Sequence, residues 1–92
     1  MAIRWNDSAA KHGVAREDVM HAMLNPLLYV PEFDEPRREG AGRPDLWIGP
    51  QRDRTAPLLE VMAERVPPRD VWVFHAMHAR PKFLVLLDQE AD

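Results

Sequence analysis

Val71-Trp72-Val73-Phe74-His75-Ala76-Met77-His78-Ala79-Arg80-Pro81-Lys82 begins as a β-branched, aromatic run and ends in titratable and cationic groups. The first half fits a pleated, buried surface. Period-2 alternation puts Val71, Val73, His75 and Met77 on one face and Trp72, Phe74 and Ala76 on the other. Pro81 has no N–H to give a sheet ladder, so the strand is expected to stop before it. A hydrophobic strand that ends this way delivers chemistry to a sheet edge. The plainer reading of His75 is a core-strand histidine with a charged exit.

Working outward, Pro57 to Glu64 alternates, with Leu59, Val61 and Ala63 on one face and Leu58, Glu60, Met62 and Glu64 on the other. Arg65 to Asp70 joins it to the 71–77 strand as a hairpin. Suppose Leu59, Val61 and Ala63 share the core face with Trp72, Phe74 and Ala76. Symmetric closure of the loop then sets Glu60 opposite His75 and Met62 opposite Val73. Directly opposed side chains are about 4.5–5.5 Å apart at Cβ. Glu60 and His75 become an acid–base couple on the face away from the core, unless a one-residue bulge intervenes.

Upstream, Ile3-Arg4-Trp5 reads as a short extended segment. Asn6 or Asp7 can cap a first helix over Ser8 to His12, ended by Gly13. A second helix is expected from about Arg16 to Leu24, with Glu17 and Asp18 where its dipole favours negative charge. Asn25-Pro26 closes it. Leu27 to Phe33 reads as a strand demoted at Pro31, residues 34–45 as a loop, and Asp45 to Gly49 as a strand around Leu46-Trp47-Ile48. Lys82 to Gln89 suits a terminal helix or a last strand; Phe83, Leu84, Val85, Leu86 and Leu87 do not decide. The expected fold is α+β: two N-terminal helices packed on one face of a small antiparallel sheet, with room for a short C-terminal helix.

A chain of 92 residues suits one domain, residues 1–92, able to bury a core. Hydrophobic content of 46% and three tryptophans argue against disorder. There is no cysteine, hence no disulfide framework and no thiolate metal site. No apolar run approaches the ~20 residues of a membrane span, and the N-terminus lacks a signal-peptide core. A soluble, cytoplasmic protein without membrane partners is expected. The net charge of −3 does not advertise nucleic acid. Yet Arg37, Arg38, Arg43, Arg52 and Arg54 fall close together and form a basic patch if they converge.

Ile3-Arg4-Trp5-Asn6-Asp7 followed by Lys11-His12-Gly13-Val14 resembles the opening of BrnT-type toxins of bacterial type II toxin–antitoxin modules, within the wider RelE-like group of small ribonucleases. The Glu17-Asp18 helix start, its end at Asn25-Pro26, and the succession Trp47-Ile48-Gly49, Leu58-Leu59-Glu60-Val61 and Val73-Phe74-His75-Ala76 are similar too. Against that pattern the first helix is clipped, the 34–45 loop is longer, and the end of the meander is less basic. The resemblance implies a toxin that cleaves RNA and inhibits translation, with no cofactor. It implies RNA, on or off the ribosome, as substrate, and a cognate antitoxin as partner. It leaves room for a homodimer within that complex.

RNA cleavage without a metal needs a base for the 2′-hydroxyl proton, a cation for the phosphorane charge and an acid for the leaving oxygen. His75 and Glu60 are base or acid candidates, and Arg80 is the catalytic cation. Lys11 and His12 join them on the family motif. Arg52, Arg54, Lys82 and His78 are candidate substrate binders, since arginine grips phosphate bidentately. The plainer reading of Lys11-His12 is a pair of cations at a helix C-terminus, and that of the loop arginines a solvated surface. One alternative is a non-catalytic partner-binding module, a diverged toxin. Another is a metal site on His75-x-x-His78, disfavoured because alternation sends the two rings to opposite faces. There is no Gly-rich phosphate loop, serine elbow or dinucleotide fingerprint.

Overall fold

The Val71–Met77 run is the second strand from one edge of a five-stranded sheet, in the order β1-β5-β4-β3-β2. The computed structural model describes residues 2–36 and 39–91, with side chains through Gln89. Its strands are β1 (Ile3–Trp5), β2 (Leu28–Val30), β3 (Asp45–Gly49), β4 (Leu59–Val66) and β5 (Asp70–His78). Its helices are α1 (Arg16–Leu24) and α2 (Pro81–Ala91), and a single 3₁₀ turn spans Asp7–Ala10. No helix among the described residues is long and apolar enough to cross a membrane.

The expected fold needs three corrections. First, the sheet is mixed. β2 to β5 form an antiparallel meander, but β1 joins the outer edge of β5 in parallel, Ile3 beside Val71 and Trp5 beside Val73. A three-residue strand that pairs across the whole length of the chain leaves no local signature.

Second, only one helix precedes the meander. The Ser8–His12 segment makes one 3₁₀ turn, in which Ala9 donates to the Asn6 carbonyl and Lys11 to that of Ser8. Gly13, at φ 72°, then reverses the chain before a second turn can form. α1 keeps its expected bounds. Its last hydrogen bond runs from Asn25 N–H to the His21 carbonyl, and Pro26 stops it there.

Third, the helices lie on both faces. Val19, Ala22 and Met23 of α1 pack on Leu59, Val61, Ala63, Val73 and Ala76. The opposite face, with Leu28, Leu46, Ile48 and Met62, is covered by Phe83, Leu86 and Leu87 of α2. Pro81 at the first helical position of α2 needs no N–H partner there. Gly49 lets α1 approach β3, because a Cβ at that position would sit 2.9 Å from the Ala22 Cα.

β2 is shorter than the Leu27–Phe33 strand read from sequence. Pro31 breaks its ladder, and Glu32 turns to φ 51° so that its N–H reaches the buried Asp45 carboxylate at 2.9 Å. Arg37 and Arg38 lie outside the described residues.

Candidate functional site

β4 and β5 keep one register from Leu59–His78 to Met62–His75, then slip, so that Ala63 faces Val73. Phe74 is the extra residue, a one-residue bulge. Alternation along β5 resets there. Val71 and Val73 stay on the α1 face with Ala76, whereas His75 and Met77 move to the α2 face with Met62 and Glu60. Four residues read from sequence as one stripe are therefore divided between the faces. Glu60 opposes Met77 rather than His75, and Met62 opposes His75 rather than Val73. Glu60 and His75 meet diagonally, within reach of two long side chains.

The couple forms all the same. His75 Nε2 lies 2.9 Å from Glu60 Oε2. Glu60 is fully buried on β4, and its remaining acceptor capacity goes to Arg80. The Arg80 backbone N–H donates to Oε1 at 2.9 Å, its Nε to Oε1 at 3.0 Å, and Nη2 to Oε2 at 2.7 Å. The Arg80 carbonyl in turn accepts the N–H groups of Phe83 and Leu84, so Glu60 binds the residue that opens α2. An anion there meets a bidentate guanidinium, a backbone donor and the positive end of the helix dipole.

Burial pushes the Glu60 carboxyl upward. The Arg80 guanidinium, the Arg80 N–H and His75 together outweigh it and hold the group below its ordinary 4.5. The Glu60 bond raises Arg80 above the ordinary arginine value, against a smaller opposing effect of burial. An ionised carboxylate can only accept, so His75 donates from Nε2, and in its neutral form the lone pair is on Nδ1. The His75 side chain is 21% exposed and that of Arg80 39%, so both meet solvent above a buried anion.

His12 completes the group. Its ring stands edge-on to that of His75, centroids 5.6 Å apart at 77°. It is exposed and follows the 3₁₀ turn, as does Lys11, also exposed. Phe83 lies beneath the cations, with the Arg80 guanidinium 5.3 Å and the Lys82 ammonium 5.0 Å from its ring centroid. From sequence, Phe83 falls in a run compatible with helix or strand. Once α2 is a helix, the spacing Arg80-x-x-Phe83 puts the two on one side of it.

The other candidates lie apart from this group. His78 pairs with Leu59 and so points to the opposite face from His75. Arg52 is bound to Asp18 in the first turn of α1, through its backbone N–H at 3.1 Å and its Nε at 2.8 Å. That bond lowers Asp18 and raises Arg52. Arg43 reaches back to the Asp34 carbonyl and Glu32, and Arg54 is exposed on the β3–β4 loop. The basic patch does not assemble from Arg43 and Arg52, because each is spent on another partner. Among the described residues no group of three histidine, aspartate or glutamate side chains is placed to hold a metal ion.

A second polar knot lies on the α1 face. Asp45 is fully buried and accepts from Tyr29 Oη at 2.7 Å, Glu32 N–H at 2.9 Å and Arg65 Nε at 3.2 Å. A groove of about 360 Å³ opens beside it, lined by Tyr29, Trp47, Arg65, Pro67, Pro68 and Val71 among others. Glu60, His75, Arg80 and His12 do not line it.

No protein-family model, no curated protein and no solved structure matches the chain.

Proposed function

We propose that the protein cleaves RNA by acid–base chemistry carried on its own side chains, as the toxin of a BrnT-type, RelE-like toxin–antitoxin module in the bacterial cytoplasm. The observation that carries this reading is the cluster itself. A buried, ionised Glu60 orients the partly exposed His75 at 2.9 Å, with Arg80 on the same carboxylate and the His12 ring 5.6 Å from that of His75.

Each group takes a role its surroundings allow. Glu60 is held ionised and fully engaged, so it orients and does not titrate near neutral pH. His75 receives the 2′-hydroxyl proton on Nδ1 as O2′ attacks phosphorus. His12, protonated, returns a proton to the departing 5′-oxygen. The rings are close enough for one phosphodiester to touch both. Arg80 keeps Nη1 beyond its bonds to Glu60, and with Lys82 and Lys11 supplies cations for the phosphorane oxygens. The products are a 2′,3′-cyclic phosphate and a 5′-hydroxyl.

A diverged toxin that binds its antitoxin without cleaving is the second reading. It is favoured by one observation: Arg80, the arginine of the cluster, already holds the Glu60 carboxylate through its side chain and its backbone N–H.

The test is induced expression in a bacterial host, wild type beside His75→Ala and His12→Ala at equal protein level, followed by end-mapping of total RNA. Growth arrest with cyclic-phosphate ends, lost in both variants, supports the ribonuclease. Abundant folded protein with intact RNA and normal growth overturns it and leaves the binding module.

A further inference from the structure

In a regular strand successive carbonyls point to opposite edges. On β5, two successive carbonyls are met by the same neighbouring segment. The Val73 carbonyl accepts the Asn6 N–H at 2.8 Å, and the Phe74 carbonyl accepts the Ser8 hydroxyl at 2.6 Å. That is the backbone signature of the bulge. β1 pairs with β5 only as far as Val73, so the 3₁₀ turn takes over the edge where the strand leaves off. The hydroxyl has a defined direction. Asn6 Nδ2 donates to Ser8 Oγ at 3.0 Å, which leaves the Ser8 proton for Phe74.

We propose that Ser8 is the positioning residue of His75: by holding the Phe74 carbonyl at the β5 edge, its hydroxyl fixes the bulge that turns His75 off the α1 face and onto Glu60. Without the bulge, alternation from Val73 would aim His75 at the α1 core and Ala76 away from it. With it, Ala76 is fully buried against α1 and His75 reaches the Glu60 carboxylate. The same turn leads to His12, so one segment seats the bulge and brings the second imidazole. Only the activity readout below rests on the ribonuclease reading.

The experiment is nitrogen NMR on histidine-labelled protein, comparing wild type with Ser8→Ala and Ser8→Thr, with His75 assigned by its loss in His75→Gln. Wild type shows His75 as the Nε2–H tautomer. Ser8→Ala moves it to a mixture of tautomers, and Ser8→Thr, which keeps the hydroxyl, retains the wild-type pattern. A folded Ser8→Ala protein with wild-type His75 shifts overturns the proposal, and so does a Ser8→Thr protein that behaves like the alanine variant. If Ser8→Ala does not fold, the wild-type Ser8 hydroxyl proton decides. Slow exchange with water supports the bond, and exchange as fast as in a free serine refutes it. In RNA cleavage Ser8→Ala lowers kcat about 10- to 100-fold with KM unchanged, the cost of misaiming a proton carrier. A wild type that cleaves no RNA removes the ribonuclease reading and leaves the NMR comparison standing.

Discussion

Replacing Glu60 by alanine removes the acceptor of four hydrogen bonds, at 2.9 Å from His75 and at 2.9, 3.0 and 2.7 Å from Arg80. Breaking a buried ion pair costs about 3–5 kcal/mol when both charges are sealed from water. Here the anion is fully buried, but the Arg80 side chain is 39% exposed and that of His75 21%, so water recovers part of the loss. About 2–3 kcal/mol is expected, including the backbone N–H left at the start of α2. In a domain of this size that lowers Tm by about 10–20 °C.

The loss depends on pH, and its sign follows from the Glu60 carboxyl, which titrates below its ordinary 4.5 in the folded protein. The unfolded chain takes up the proton first on acidification. The stabilisation is therefore complete above the unfolded value and is lost as pH falls through the folded one. Urea unfolding followed by tryptophan fluorescence at about pH 7 and about pH 3 measures both. The gap between wild type and Glu60→Ala is wide at neutral pH and narrows in acid. A neutral-pH gap below about 0.5 kcal/mol, or one that does not change with pH, refutes the assignment of Glu60 as an ionised anchor.

Three further outcomes test the frame around the site. Tyr29 is the single tyrosine, and burial, the Asp45 hydrogen bond and the Asp45 charge push it up to about 12. Ultraviolet titration of Asp45→Asn will show it moving back toward about 10. Tyr29's share of stability is present below its unfolded value and lost as pH rises toward 12, so the wild type loses it only in strong alkali. Gly49→Ala forces its methyl group against the α1 backbone at Ala22 and will cost about 1–3 kcal/mol in urea unfolding; a neutral result means α1 is not seated so closely. Leu46→Ala hollows the α2 face at a fully buried position and will cost about 2–5 kcal/mol; a loss under about 1 kcal/mol means that face is loosely packed.

The parts legible in sequence were those with a local cause. α1 was bounded by its acidic first turn and Asn25-Pro26, and β3 by Leu46-Trp47-Ile48 between Asp45 and Pro50. The β4–β5 hairpin followed from alternation either side of Arg65–Asp70. The Glu60–His75 contact was reached with the wrong register. On the symmetric register a bulge breaks the couple, whereas the Phe74 bulge is what brings His75 to the face Glu60 occupies.

By itself, then, the sequence determined α1, β3 and the β4–β5 hairpin, where an acidic first turn, prolines and period-2 alternation act over a few residues, whereas the capping cues at Asn6 to Gly13 promised a helix and yield one 3₁₀ turn. It also marked Glu60, His75 and Arg80 as a set. Tertiary structure alone decided the parallel seat of β1 against β5, the division of α1 and α2 between the two faces, and the capture of Arg52 by Asp18. It also decided the Ser8 bond to Phe74 that accompanies the bulge. Each of these joins residues far apart in the chain. Their energies come from burial and from hydrogen bonds across the sheet, for which a linear pattern carries no local signature.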